Sequence, residues 1–305
     1  MDFYPKLSIV IPTYNRAHLI LRVLNNISAQ SYDNLEIIVV DDGSSDDTLR
    51  LVSEYKDPRV IYIKHEQNMG LAAARNTGIK SSSGDIVAFQ DTDDLWLKNK
   101  VEECIEAFRL NPKIDVIYSG SYRFQGGQKA YIPYSYISKK EGNVLESLLS
   151  GNFIPAISVC VKRQCLDEIG LFDESLPSLE DWDILIRLAK KYQFLYIPKP
   201  LNLIYFSKNS LTADSTNFLK AEKILLKKHY DEFCKYPFLL AKRYGQIGFY
   251  YAFHKCRIEC FEYFKRASNI SKRYYIIYWL AKIFGLDFIR FVSFLYQRGK
   301  WYIYR

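Results

Sequence analysis

At 305 residues, with 49% hydrophobic and 25% charged side chains, the chain has the composition of a folded protein with a sizeable core, which excludes a disordered segment and a small disulfide-stapled module. The formal net charge of +8 hides an asymmetry: residues 215–305 hold 18 Lys and Arg against 6 Asp and Glu, and the remainder holds 24 against 28. The same tail carries 25 of the 48 aromatic side chains, so a basic, aromatic-rich extension follows a mildly acidic body.

In chain order, residues 7–11 form a buried strand ended by Pro12, followed by the loop Thr13-Tyr14-Asn15-Arg16. Leu19, Ile20, Val23, Leu24 and Ile27 recur at helical spacing. A second strand, 35–40, runs into Asp41-Asp42-Gly43-Ser44; a helix over 46–55, a strand over 60–63 and an Ala-rich helix over 70–80 follow. The apolar run Ile86–Phe89 is a strand that empties into Gln90-Asp91-Thr92-Asp93-Asp94. Strand and helix alternate four times in about 90 residues, which predicts an α/β layer with a mainly parallel sheet. Ligands of such sheets bind at the carboxyl ends of the strands. That rule gathers Thr13–Asn15, Asp41 with Asp42, and Asp91, Asp93 and Asp94 on one rim. Clustered carboxylates repel one another unless a hard cation sits among them; the plainer account is an Asp-rich turn that caps the next helix.

Strands are predicted over 114–119 and 157–161, and 124–128, with its Gly-Gly pair, reads as a hairpin turn or mobile loop. A helix over 180–190 carries Glu180 and Asp181 in its first turn, where helix amides favour carboxylates in any case. A strand at 194–197 is closed by Pro198 and Pro200. Beyond about residue 213 the pattern is helical: 218–230, 237–254, 256–267, 274–284 and 288–297. Six cysteines without a Cys-x-x-Cys pair are read as buried free thiols, and no zinc pattern is present. The start of the chain lacks the pattern of a secretory leader, and no run reaches the roughly 18 apolar residues of a spanning helix. The expectation is a cytoplasmic protein, soluble or peripheral at the inner face of the cell membrane.

Five motifs occur in order: Ser8-Ile9-Val10-Ile11-Pro12-Thr13-Tyr14-Asn15-Arg16, Val39-Val40-Asp41-Asp42-Gly43-Ser44-Ser45-Asp46, Gly70-Leu71-Ala72-Ala73-Ala74-Arg75-Asn76, Asp91-Thr92-Asp93-Asp94 and Glu180-Asp181-Trp182-Asp183. Over about residues 5–205 the chain resembles a family 2 glycosyltransferase of the GT-A fold, the inverting type of bacterial surface-polysaccharide synthesis. The resemblance implies a Rossmann-like, mainly parallel sheet flanked by helices. It implies a catalytic domain over 1–212, with a nucleotide-sugar half to about 97 and an acceptor half over 98–212, and a helical tail over 213–305.

It further implies transfer of one sugar, a hexosyl or N-acetylhexosaminyl group, from a nucleotide-sugar, most simply a UDP-sugar. The acceptor would be a hydroxyl of a glycan or lipid-linked glycan. Pro12, Thr13, Tyr14, Asn15, Arg16, Asp42, Arg75, Asp91, Thr92 and Asp94 would form the donor site. In it Asp42 would accept the uracil N3–H, Tyr14 would give an aromatic face, and Arg75 would reach base or diphosphate. Asp93, with Asp91, would hold Mn²⁺ or Mg²⁺; Asp181 would be the base and Glu180 would orient acceptor or donor sugar. The chain departs from the family at Gln90, where an apolar strand residue is usual, and lacks the Gln-x-x-Arg-Trp motif of processive synthases. Basic and aromatic residues interleaved in the tail fit an anionic membrane surface, packing on the body or a homodimer. Nucleic acid is not an expected partner, since no recognised binding fold accompanies them. The rival without chemistry is an inactive GT-A scaffold that holds membrane or partners through its tail. A nucleotidyltransferase would need a Gly-rich phosphate loop after the first strand, and a dinucleotide-dependent oxidoreductase a Gly-x-Gly-x-x-Gly there; neither is present.

Overall fold

The computed structural model describes residues 4–206 and 215–303, and its backbone forms two compact units, Met1–Asp214 and Ser215–Arg305. The boundary expected near residue 213 lies outside the described residues.

The first unit is built on a nine-stranded mixed sheet. Its parallel half consists of β1 (Leu7–Thr13), β2 (Leu35–Asp41), β3 (Val60–Lys64) and β4 (Ile86–Phe89), in the order β3-β2-β1-β4. The order reverses between β1 and β4, the place where an open α/β sheet leaves a crevice. Helix α1 (Ala17–Ser28) covers one face with Ile20, Val23, Leu24 and Ile27. Helix α2 (Thr48–Ser53) leads to β3, and α3 (Leu71–Ser81) covers the other face, with Ala74 against Ile38 and Val40. Both faces are thus buried, which is why β1 and β2 read as unbroken apolar runs.

Past β4 come β5 (Leu95–Trp96), α4 (Lys100–Leu110), the hairpin of β6 (Val116–Gln125) and β7 (Gln128–Ile132), α5 (Leu145–Ser150), a single 3₁₀ turn, β8 (Val159–Lys162), α6 (Arg163–Ile169), α7 (Glu180–Ala189) and β9 (Phe194–Tyr205). β8 joins the halves by pairing antiparallel with both β4 and β6, while β9 runs parallel to β6. Helix α4, which the sequence pattern did not reveal, packs Val101, Cys104, Ile105 and Phe108 into the same core as α1.

Two strands run through prolines expected to end them. β1 continues past Pro12 to Thr13, paired with β2 alone. Gln90 N–H donates to Val10 O, so the next rung toward β4 would be a Pro12 N–H to Gln90 O. Proline has no such hydrogen, and its gap falls on the side where β4 has already ended. β9 likewise carries Pro198 and Pro200 across an irregularity where its register on β6 shifts between Ser119 and Ser121, and then pairs on to Tyr205. Helix α2 is shorter than the expected 46–55, because Asp46 turns back to accept the Thr48 N–H and hydroxyl.

The second unit holds α8 (Ser215–Lys228), α9 (Tyr230–Cys234), α10 (Pro237–Phe253), α11 (Arg257–Ser268) and α12 (Lys272–Ile303). α12 joins the two expected helices 274–284 and 288–297 across a kink at Gly285, whose φ is 77°. Its core includes Ala252, Cys260, Phe264 and Ala281. Of the six thiols, Cys104, Cys160, Cys165 and Cys260 are buried, Cys234 is exposed and Cys256 is intermediate. Among the described residues no helix is long and apolar enough to cross a membrane.

The layer of α3 on β1 leaves no room for a side chain at Gly78, where a Cβ would come within 2.3 Å of Val10 Cγ1. Gly78→Ala is therefore expected to cost about 1–3 kcal/mol by overpacking, read as a lowered urea midpoint with an unchanged slope.

Candidate active site

The rim above β1, β2 and β4 is laced by its own polar groups. Asn15 takes a left-handed conformation, φ 50°, which Asn tolerates better than most residues. Its N–H donates to Ser44 Oγ at 2.8 Å and its side-chain oxygen accepts the Ser45 N–H at 2.9 Å, so the loops after β1 and β2 are tied together. Tyr14 stands 46% exposed beside them, while Thr13 and Pro12 are buried. Among the described residues Thr13 Oγ1 is a buried oxygen with no partner, an unmet bond at the mouth of the crevice. Arg16 is half-buried, and Thr92 is buried in the acidic loop.

The two aspartates after β2 divide their duties. Asp41 is fully buried, accepting the Ser44 N–H and the Tyr62 hydroxyl. Asp42 is also buried: Oδ1 lies 2.7 Å from His65 Nδ1 and accepts the Met69 N–H, and Oδ2 accepts the Gly70 N–H. A carboxylate offers about four acceptor positions, so three are used in shaping the loop and one is left open.

The acidic loop is fixed from three sides. Gln90 is fully buried and donates through Nε2 to the carbonyls of Asp91 and Asp94, at 2.9 and 2.8 Å. Its departure from an apolar residue thus serves the loop backbone. Arg22 on α1 donates to the Asp93 carbonyl at 2.7 Å, and Asp94 Oδ1 accepts the Tyr205 N–H at the end of β9 at 2.8 Å. Asp94 is accordingly buried and anchors β9. Burial and the Asp91 charge raise its pKa to about 8, and burial with Asp91 also raises that of Asp93. Asp91 and Asp93 supply hard oxygen donors in a self-repelling group that a divalent cation would relieve. Among the described residues no three acidic, imidazole or thiol groups converge on one point.

Arg75 is the surprise of the site. It is 2% exposed, and its guanidinium bonds Asp91 Oδ1 at 2.9 Å and Glu180 Oε1 at 2.6 Å. It also lies over the Phe172 ring, 5.4 Å from the centroid. The next residue, Asn76, holds the backbone N–H and carbonyl of Phe172. Helix α3 thus joins the acidic loop after β4 to the start of α7.

Leu179, with φ 63°, turns the chain into α7, whose Trp182 is buried and donates through Nε1 to Leu148 O. That contact draws the loop after α5 against Asp181. There Asn152, which no sequence motif singled out, donates through Nδ2 to Asp181 Oδ2 at 3.0 Å, while the Trp182 N–H donates to Oδ1 at 2.7 Å. Burial, then the neighbouring Glu180, lift the Asp181 pKa to about 7 against the pull of Arg75. Asp183 faces away and pairs with Arg187 at 2.9 Å. A polar residue in a loop leaves no periodic signal, so Asn152 is visible only once α5 and α7 are packed.

Arg75→Met should strand two acidic groups and lower stability by about 3–5 kcal/mol in urea unfolding, the range for breaking a buried ion pair. Asn152→Ala removes the donor to Asp181 and the acceptor of the Ile154 N–H and should lower stability by about 1 kcal/mol in urea unfolding, well below the cost of Arg75→Met.

The family model for glycosyl transferase family 2 matches residues 8–166. An uncharacterized glycosyltransferase of Haemophilus influenzae is 31% identical over 230 residues, spanning 73% of this chain and 76% of that protein. The Escherichia coli enzyme WfgD, a UDP-Glc:alpha-D-GlcNAc-diphosphoundecaprenol beta-1,3-glucosyltransferase, is 41% identical over 122 residues, which are 40% of this chain and 47% of WfgD. Among solved structures, the 1–349 portion of S. aureus TarS with UDP-GlcNAc superposes with a TM-score of 0.69 at 19% identity, covering 96% of this chain and 92% of that one. With a family match over more than half its length, on a GT-A framework of this kind, the chain belongs to glycosyl transferase family 2 and is a glycosyltransferase.

Proposed function

We propose that the enzyme transfers a single hexosyl or N-acetylhexosaminyl group with inversion, from a UDP-sugar to a hydroxyl of a glycan or lipid-linked glycan in bacterial polysaccharide synthesis. The observation that carries the reading is the pair of acidic sites joined by Arg75: Asp91 with Asp93 at the crevice, and Glu180 with Asp181 across from them. The unmet Thr13 hydroxyl, the exposed Tyr14 ring and the remaining acceptor position of Asp42 support a nucleotide beside the first site, with Asn15 and Arg16 shaping its loop. WfgD, whose name gives a diphosphoundecaprenol-linked sugar as acceptor, supports an acceptor of that class.

Asp181 takes the proton of the acceptor hydroxyl as that oxygen bonds to the anomeric carbon. The bond from that carbon to the diphosphate breaks, and the electron pair leaves with the diphosphate. A base with a pKa near neutrality is matched to this task, and the hydrogen bonds from Asn152 and Trp182 fix its carboxylate plane. Glu180, held by Arg75, orients the sugar. Mn²⁺ or Mg²⁺ held by Asp93 and Asp91 would neutralise charge on the departing diphosphate. Asp94 keeps the loop in place through the Tyr205 N–H, and Thr92 sits buried between the two outer acids.

A thermal-shift panel of UDP-sugars with and without Mn²⁺ tests the donor site; a ligand at about 100 times its dissociation constant should stabilise by roughly 2.7 kcal/mol. Asp93→Ala should abolish the manganese-dependent part, and Asp181→Asn should keep donor binding while lowering turnover by at least about 100-fold. Because the base must be ionised, kcat should rise with pH through about 7 and then level. Silence of the whole panel, UDP included, would instead favour the inactive scaffold.

A further inference from the structure

We infer that the outward face of the first half of α12 is a docking surface for anionic phospholipid. The inward face of this helix packs Tyr274, Ile277, Tyr278 and Ala281 into the core of the second unit. The opposite side carries Tyr275, Ile276, Trp279 and Ile283, at the spacing of one helical stripe, with Phe284 beside them; all five are 45–70% exposed. Large apolar side chains scattered singly over a surface need no explanation, but a contiguous aromatic and aliphatic stripe marks an interaction site.

The charge around the stripe selects the partner. Lys272 and Arg273 open the helix, and Lys282 sits within the stripe, its Nζ 5.0 Å from the Trp279 ring and 5.1 Å from that of Tyr278. The single acid in α12, Asp287, is 3.3 Å from Arg290. A second copy docked face to face would set these cations against their own kind, with Asp287 the single carboxylate the helix offers in return. An anionic bilayer supplies both complements at once: headgroups for Lys and Arg, and an interfacial zone in which Trp, Tyr and Ile are at home. A helix lying in that zone needs no spanning length. The inference deepens the reading of a lipid-linked acceptor, and vesicle binding can be measured without any acceptor.

The test is co-sedimentation of the full chain with phosphatidylcholine vesicles, with and without phosphatidylglycerol. Recovery should require phosphatidylglycerol and fall as salt is raised. Trp279→Ser combined with Ile283→Ser should reduce the vesicle-bound fraction by about tenfold, with far-UV circular dichroism unchanged. Lys282→Glu should weaken the preference for phosphatidylglycerol. Equal recovery of the double variant and the parent, or no recovery of the parent, overturns the inference. So does a change from dimer to monomer in light scattering while vesicle binding is unaltered, which would assign the stripe to a second copy. UDP-sugar hydrolysis measured on the same preparations, free in solution, separates this failure from a failure of the proposed chemistry.

Discussion

A buried guanidinium holds this site together. Arg75 is taken out of water on a helix that otherwise presents Ala and Gly to the sheet, and burying such an ion costs several kcal/mol unless partners meet it. Asp91 and Glu180 meet it from the ends of elements about ninety residues apart in the chain. Neither carboxylate would sit comfortably so near other acids without that cation. Planar geometry matters here, because a guanidinium can face two carboxylates in fixed directions where an ammonium would act as a point charge. Its Nε remains buried without a partner among the described residues, so two of the three guanidinium nitrogens satisfy the whole arrangement.

The acids of the motifs therefore have unequal work. Asp41, most of Asp42, Asp94 and Asp183 are spent on the protein's own N–H, hydroxyl and guanidinium groups. What stands out toward the rim is smaller: Asp91 and Asp93 on one loop, Asp181 on one helix turn. The spent acids hold the half-buried ones in place, a prerequisite for keeping reacting groups in a productive geometry.

The parallel half of the sheet was legible because strands buried on both faces write themselves as apolar runs, and amphipathic helices write a period of 3.6. Pro12, Pro198 and Pro200 misled at the strand ends, since whether a proline stops a strand depends on which side has a neighbour, a fact of topology. The acids of the rim could be collected from strand order alone. The fate of Arg75 could not, because its two partners are brought to it only by folding. Asn152 and the Asp94 link to Tyr205 were hidden for the same reason: single contacts between distant loops carry no period.

Pro12 shows how little is needed to shape the crevice. With no hydrogen on its nitrogen, it cannot donate to the Gln90 carbonyl, so the ladder between the two central strands lacks its next rung. The chain after β4 leaves the sheet at that residue, and the side-chain amide of Gln90 takes over where the ladder stops, catching two carbonyls of the departing loop. One absent backbone hydrogen marks the point where strand gives way to loop.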